Sequence, residues 1–421
     1  MTRRPAPPAS TAPRPANSHP EGGRGARPPA STAAWPPLNP GLERLPPYLF
    51  VALDRKRAEA QASGRDVINL GIGDPDTPTP EFIVSEMSRA VRDPRTHRYP
   101  DGRGSVEFRE AVADFMSRKY GVKLDPAREI VALIGSKEGI GHLPLALAGR
   151  GSTVCVPDPG YPVYAASAIL AGAKPVAYPL REDNGFLPDF TARPLSGPAK
   201  RGLIFMNYPN NPTGATAPKN LFEEAVRWAG RRGAWLAHDA AYAEAFFGGV
   251  RPASLLAAAG AMERGVEFHS LSKTFSMAGW RVGWAAGNRR AVAALAQVKS
   301  NLDSGVFTAV QHAAAVALRK GDSAADAMRK LVSKRRSRCI PLLVDAGWEV
   351  FESSATFYLW CRTPGDMPSA VCSERLLDQA GVLATPGSGF GRRGEGWIRF
   401  ALTVGEERLV EAMTRVARIR W

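Results

Sequence analysis

Short apolar runs separated by helical stretches constrain this chain more than any other feature of its sequence. They fall at Ile130–Ile134, Thr153–Pro157, Pro175–Tyr178, Gly202–Met206, Ala234–His238 and Val266–Ser270. Runs of this length suit strands buried on both faces, and helices between them predict a mostly parallel sheet covered by helices. Upstream, Val51–Ala62 reads as a helix, and Val67–Gly73 as a strand that stops at the turn Asp74-Pro75-Asp76. After Leu302 come longer helices, and then Trp348–Cys361 and Trp397–Ala401 read as strands of a second unit. The expected fold is α/β, with a large domain over 85–315. A smaller α+β domain is expected from 45–84, including an N-terminal arm, together with 316–421. A chain of 421 residues is long enough for both. Residues 1–44 are Pro/Ala-rich and are expected to be a disordered tail.

The net charge of +15 raises the question of nucleic-acid or acidic-membrane partners. The basic residues are scattered, however, apart from the tail and a run over Lys330, Lys334, Arg335, Arg336 and Arg338. No aromatics interleave with that run, so it reads as the solvated face of a helix. The tail is too short and too proline-rich to be a DNA-binding module, and no nucleic-acid partner is expected. No apolar run reaches the roughly 18 residues that cross a bilayer. Arg3-Arg4 lacks the apolar core an export signal needs. Cys155, Cys339, Cys361 and Cys372 show neither C-x-x-C pairing nor histidine partners at metal spacing. They read as free buried thiols of a cytoplasmic protein, with no membrane partner and no metal.

In sheets of the expected kind, ligands sit beyond the carboxyl ends of the strands. Ser270-Leu271-Ser272-Lys273 follows one such end, and Arg281 lies eight residues past the lysine. Serine hydroxyls and a guanidinium grip phosphate, and a lysine among them suits a Schiff base with pyridoxal phosphate. Met277, Trp280 and Trp284, around Gly279 and Gly283, predict close packing just beyond. Gly135-Ser136-Lys137-Glu138 links another strand end to a helix, where Ser136 and the backbone amides can hold phosphate. Asp239 ends an apolar strand, where an unpaired carboxylate is costly and a pyridinium nitrogen would stabilise it. Helix capping is the alternative use of that aspartate. Tyr242 and Asn211 could both reach the ring oxygen, although Asn211-Pro212-Thr213-Gly214 is also good turn chemistry without a ligand. Tyr161, set between Pro159 and Pro162 in a rigid turn, could stack on a flat ring or simply pack.

From about Leu45 to Trp421 the chain resembles the class I/II aminotransferases of pyridoxal-phosphate fold type I. The resemblance rests on Asn211-Pro212-Thr213-Gly214, Asp239-Ala240-Ala241-Tyr242, Ser270-Leu271-Ser272-Lys273 and Arg281. It implies a homodimer with active sites at the subunit boundary, acting on amino-acid and 2-oxo-acid substrates. By position, Lys273 resembles the Schiff-base lysine that also shuttles the proton. Ser136, Lys137, Ser270, Ser272 and Arg281 match phosphate-loop positions, and Tyr161 matches the stacking aromatic. Asn211, Asp239 and Tyr242 match the ring contacts, and Tyr99 a tyrosine that reaches the neighbouring subunit's phosphate. Arg399 matches the arginine that binds the substrate α-carboxylate, with Gly73 allowing close approach to the same group. An intramolecular ion pair is the bland alternative for Arg399. Leu45–Phe50, Leu70–Pro75, Gly135–Gly139 and Lys299–Gly305 look most like the diaminopimelate-type members and their close relatives. There Tyr48, Lys137 and Asn301 are substrate-proximal, Asn301 coming from the second subunit. The plant-type glutamate that follows the Tyr99 position is absent, and Asp101 stands nearby instead. Aspartate, alanine or general amino-acid transamination, and β-elimination at a C–S bond, are the alternative activities.

Overall fold

The strands, in chain order, are β1 (Ile68–Asn69), β2 (Ile130–Leu133), β3 (Thr153–Asp158), β4 (Lys174–Pro179), β5 (Gly202–Asn207) and β6 (Trp235–Asp239). They continue as β7 (Gly265–Ser270), β8 (Gly283–Gly287), β9 (Tyr358–Arg362), β10 (Val382–Leu383), β11 (Thr385–Pro386) and β12 (Trp397–Ala401). This computed structural model describes residues 38–195 and 202–421. The predicted tail lies outside the described residues as far as residue 37, and Pro40–Glu43, within its predicted bounds, is a single helical turn.

Seven strands form the main sheet in the order β2-β8-β7-β6-β5-β3-β4, and β8 alone runs antiparallel to its neighbours. Both faces of this sheet are buried, as continuous apolar strands require. In β5, Leu203 and Phe205 join one apolar layer with Phe268, Leu143 and Leu295, while Ile204 and Met206 join the other with Leu236, Phe222 and Trp228. That alternation is the two-residue period of a strand, and full burial of each large side chain is worth about 1.5–3 kcal/mol. Among the covering helices, Val106–Tyr120 starts where the Ser105 hydroxyl accepts the Phe108 amide at 3.2 Å. It stops at Gly121, whose φ of +69° ends the helix in the left-handed region.

β9, β11 and β12 form a three-stranded antiparallel sheet, and β1 pairs with β10 in parallel. Leu359, Cys361, Ile398, Phe400, Leu409 and Met413 are packed in one apolar cluster there.

Several sequence expectations need correction, and one is that the strand predicted over Val67–Gly73 is strand only at Ile68–Asn69. The predicted strand Trp348–Cys361 is strand only from Tyr358, and Val350 folds back to bridge Cys361. The segment beyond Lys273 holds an unpredicted strand, β8, because Gly-Trp-Ala-Ala-Gly lacks the β-branched residues that mark one. Gly283 is packed tightly there, a β-carbon on it falling 2.4 Å from the His269 oxygen, but Gly279 faces open space. The basic run is solvated only at Lys330, Lys334 and Arg338. Arg335 and Arg336 turn inward: Arg335 grips Asp76 through two bonds of 2.6 and 2.8 Å, and Arg336 donates to the Tyr358 carbonyl. The four cysteines are free and buried.

Candidate active site

The ends of β2, β5, β6 and β7 open onto one cavity of about 360 Å³. Gly135 joins β2 to the helix Ser136–Leu147 at a φ of +71°, and a β-carbon there would lie 2.5 Å from Arg281 Nη2. The Arg281 guanidinium donates to the carbonyls of Ala278 and Ile134 at 2.9 and 3.4 Å, and has no carboxylate partner among the described residues. Ser136 opens its helix, so its amide and hydroxyl stand at the positive end of a twelve-residue dipole. Ser270 caps the turn Leu271–Thr274, its oxygen accepting the Ser272 amide at 3.2 Å. These groups make a cationic, hydroxyl-lined cradle at one end of the cavity.

Lys273 projects from that turn and donates to the Gly73 carbonyl at 2.7 Å. Burial lowers its pKa to about 8; Asp74 opposes the shift, while Arg281 and Arg399 add to it. The amine is still mostly protonated at neutral pH, but its free-base share there is far larger than that of an ordinary lysine.

Asp239, at the end of β6, is buried and accepts from the Tyr164 hydroxyl at 2.7 Å and the Ala241 amide at 3.1 Å. It has no cationic partner among the described residues. Burial pushes its carboxyl up, and those two hydrogen bonds pull the other way. Asn211 spends its side-chain oxygen on Arg399 Nη1 at 2.7 Å, leaving its amide nitrogen as the donor for the cavity. The Tyr242 hydroxyl lies 2.8 Å from that of Tyr358. At the cavity mouth, Lys137 donates to the Tyr48 hydroxyl at 3.0 Å, and Tyr48 stands 3.3 Å from the hydroxyl of Tyr161.

Arg399, on β12, is fully buried. It donates to Asn211, to the Gly71 carbonyl at 2.7 Å and to the Thr385 hydroxyl at 3.3 Å, while its Nε has no partner. No carboxylate pairs with it among the described residues, which removes the intramolecular ion pair as its explanation. The Tyr358 ring covers it, 4.1 Å from the guanidinium carbon. A β-carbon at Gly73 would fall 2.1 Å from the Tyr358 hydroxyl, so this backbone approach needs glycine.

Tyr99 and Asn301 do not line the cavity: Tyr99 is 94 % exposed, and the Asn301 amide donates to its own helix at Gln297. Tyr99 lies on a loop that touches the loop following the Asn301 helix, since a β-carbon on Gly305 would come 3.1 Å from the Asp101 carbonyl.

Sequence reasoning missed Tyr164, Tyr358 and a buried cation, Lys299. Tyr164 follows Tyr161 at helical spacing, a signal that was available. Lys299, with no exposed surface, donates to Glu138 at 2.8 Å and to Asp303 at 3.1 Å. Glu138 also accepts the Ile134 amide, and Asp303 the Gly305 amide, so one ammonium joins the loop before Ser136 to the loop after Asn301. Glu138, His142 and Asp303 have donor atoms within 4.8 Å of one another, but the Lys299 ammonium already supplies the positive charge there.

Comparison with known proteins gives a consistent answer. The family model described as aminotransferase class I and II matches residues 65–416. The chain is 49 % identical over 375 residues to a protein named LL-diaminopimelate aminotransferase from Desulforudis audaxviator, covering 89 % of this chain and 96 % of the relative. A namesake from Halothermothrix orenii is 48 % identical over 375 residues, with the same coverage. Among solved structures, substrate-bound BacF from Bacillus subtilis superposes with a TM-score of 0.87 at 34 % identity, covering 91 % of this chain and 98 % of that one. A probable N-succinyldiaminopimelate aminotransferase from Thermus thermophilus gives a TM-score of 0.82 at 36 % identity, covering 88 % and 99 %.

Proposed function

The chain belongs to the class I and II aminotransferases, which depend on pyridoxal phosphate, and on that footing we propose that it acts on LL-diaminopimelate. In this reading it passes one amino group of that substrate to 2-oxoglutarate in ping-pong order, and the keto product cyclises to tetrahydrodipicolinate for lysine biosynthesis. The observation that carries the substrate is near full-length similarity to proteins named for it, at 49 % and 48 % identity.

The cavity residues fit the cofactor. Among the described residues, Asp239 is a buried carboxylate with no cation hydrogen-bonded to it, and Arg281 a guanidinium with no carboxylate partner. Arg281, Ser136, Ser270 and Ser272 would hold the phosphate, Tyr161 the ring face, Asp239 the ring nitrogen, and Asn211 with Tyr242 the ring oxygen. Bound there, pyridoxal phosphate supplies an electron sink for the pair released as the substrate's α proton departs. Lys273 would hold the cofactor through its amine and would move that proton at its Nζ; its pKa of about 8 suits both roles. Arg399 and the backbone at Gly73 bind the α-carboxylate, which orients the α carbon toward Lys273. Tyr358, lying over Arg399, shields that ion pair from water. Lys137 and Tyr48 stand at the mouth, where a second carboxylate on a long substrate would arrive.

The active site is completed by a second copy in this proposal, through Tyr99 and Asn301. Their exposure, and the contact between the Tyr99 loop and the loop after the Asn301 helix, support a homodimer. No helix among the described residues is long and apolar enough to cross a membrane. The four unpaired cysteines support a reducing compartment, the cytoplasm.

A spectroscopic half-reaction screen with LL-diaminopimelate, aspartate, alanine and glutamate tests the substrate. LL-diaminopimelate is expected to convert the bound cofactor fastest. A faster reaction with aspartate or alanine would refute the assignment, and pyruvate release from cystathionine without a keto acid would point to β-elimination.

A further inference from the structure

Beneath the cavity the main sheet carries a polar seam that the proposed chemistry does not use. Glu267, in β7, has no exposed surface. Its Oε1 accepts from His269 Nε2 at 2.7 Å and the Ser254 hydroxyl at 2.8 Å. Its Oε2 accepts from His238 Nδ1 at 2.8 Å and the Leu255 amide at 2.7 Å. Two donors on each oxygen fill a carboxylate's acceptor sites, so Glu267 is ionised. The remaining nitrogen of His238, Nε2, lies 2.9 Å from the Tyr208 carbonyl oxygen, which can only accept. Both ring nitrogens of His238 therefore donate, and the ring is an imidazolium. Phe222 closes over His238 with ring centroids 4.7 Å apart, and Trp284 stacks on His269 at 4.7 Å and 6°. The other charged groups facing the seam are Asp239, the next residue of β6, and a cluster beyond His269. In that cluster Tyr120, 5.8 Å from the His269 ring, donates to Glu244, which pairs with Arg251 and Arg329.

The seam crosses three strands: Tyr208 directly follows β5, His238 belongs to β6, and Glu267 and His269 to β7. The ends of those same strands carry Asn211, Asp239, and Ser270 with Lys273. We propose that His238, Glu267 and His269 are positioning residues of the active site. They fix the spacing of three strand ends and keep a positive charge behind Asp239, so that this carboxylate stays ionised for the cofactor's ring nitrogen. Burial pushes the Asp239 carboxyl up, and both histidines are among the influences that pull it back. The inference rests on the assignment of Asp239 to the ring nitrogen.

The test uses the holoenzyme and the visible absorbance of the lysine-bound cofactor titrated against pH. Glu267→Gln preserves shape but removes the charge that holds the imidazolium. Its absorbance midpoint is expected to move to higher pH, because a ring nitrogen without its proton no longer draws electrons from the lysine-linked nitrogen. Cofactor binding is expected to weaken by about tenfold. Glu267→Asp, which keeps the charge, should hold the midpoint near wild type even where thermal stability falls. A wild-type midpoint and affinity in Glu267→Gln would overturn the proposal, whatever its thermal stability. Should the variant not fold, ¹⁵N spectra of histidine-labelled wild-type holoenzyme decide the matter. One ring is expected to carry a proton on both nitrogens, as its two acceptors require, and a bare nitrogen on the ring of His238 would refute the imidazolium. A wild-type protein with no lysine-dependent absorbance would instead overturn the cofactor assignment on which the inference stands.

Discussion

Asp239→Asn separates a ring-nitrogen partner from a structural cap. The carboxylate is buried between the Tyr164 hydroxyl and the Ala241 amide, with no cation hydrogen-bonded to it among the described residues. An asparagine oxygen can still accept from Ala241, and the Tyr164 hydroxyl can turn to accept from the new amide. The substitution also removes a desolvated charge, so the empty protein should change by no more than about 1 kcal/mol. The loaded protein loses a charge-assisted hydrogen bond to the ring nitrogen, worth about 1.5–3 kcal/mol. That loss corresponds to roughly 10- to 150-fold weaker cofactor binding. The stabilisation that saturating cofactor confers on the fold should drop by the same amount. Urea unfolding of empty and loaded protein, together with a cofactor titration, measures both quantities. Equal destabilisation of the two forms, with unchanged cofactor affinity, would show that Asp239 serves only as a cap and would refute the assignment.

Lys273 carries a pKa of about 8, so its free-base fraction grows as pH rises through that value. The rate at which empty protein takes up pyridoxal phosphate should therefore level off above about pH 8; a climb continuing to pH 10 would mark an ordinary lysine. Arg399→Lys loses the two-pronged grip and should raise KM for every carboxylate substrate by about tenfold or more with cofactor still bound. Loss confined to one substrate would assign Arg399 to a side-chain subsite instead. Gly135→Ala places a β-carbon 2.5 Å from Arg281 Nη2 at a φ of +71°, a strain of about 1–3 kcal/mol. Cofactor affinity should fall accordingly, and an unchanged dissociation constant would remove Gly135 and Arg281 from the phosphate cradle.

The main sheet was legible because strands buried on both faces are written as unbroken apolar runs, and the chemistry-bearing residues follow directly at their ends. β8 escaped because its small residues pack through the backbone and carry no side-chain signature. The overlong strand from Trp348 reflects an aromatic-rich stretch whose direction reverses around Ser353-Ser354. Arg335 and Arg336 were misread for a geometric reason. Successive helical residues point about 100° apart, so a run of basic residues cannot all face water on a packed helix. Ser136, Asn211, Asp239, Tyr242, Ser270, Ser272 and Arg281 could be found from type and position alone. Tyr358 and Lys299 could not, because what each contributes depends on a distant partner, Arg399 and Glu138, whereas Tyr164 was signalled by its spacing from Tyr161 although its partner Asp239 was not.

Lys299 has a consequence for how this site can change over time. Its ammonium is shared by Glu138, beside the hydroxyl-lined cradle, and by Asp303, just past the helix end that carries Asn301. Neither carboxylate can be replaced without leaving the other to balance a buried cation alone. A change at the end of the Asn301 helix is therefore felt at the cradle. In the proposed site, change at the exposed Tyr48 and Lys137 is free of that constraint, whereas Lys299 and its two carboxylates must change together.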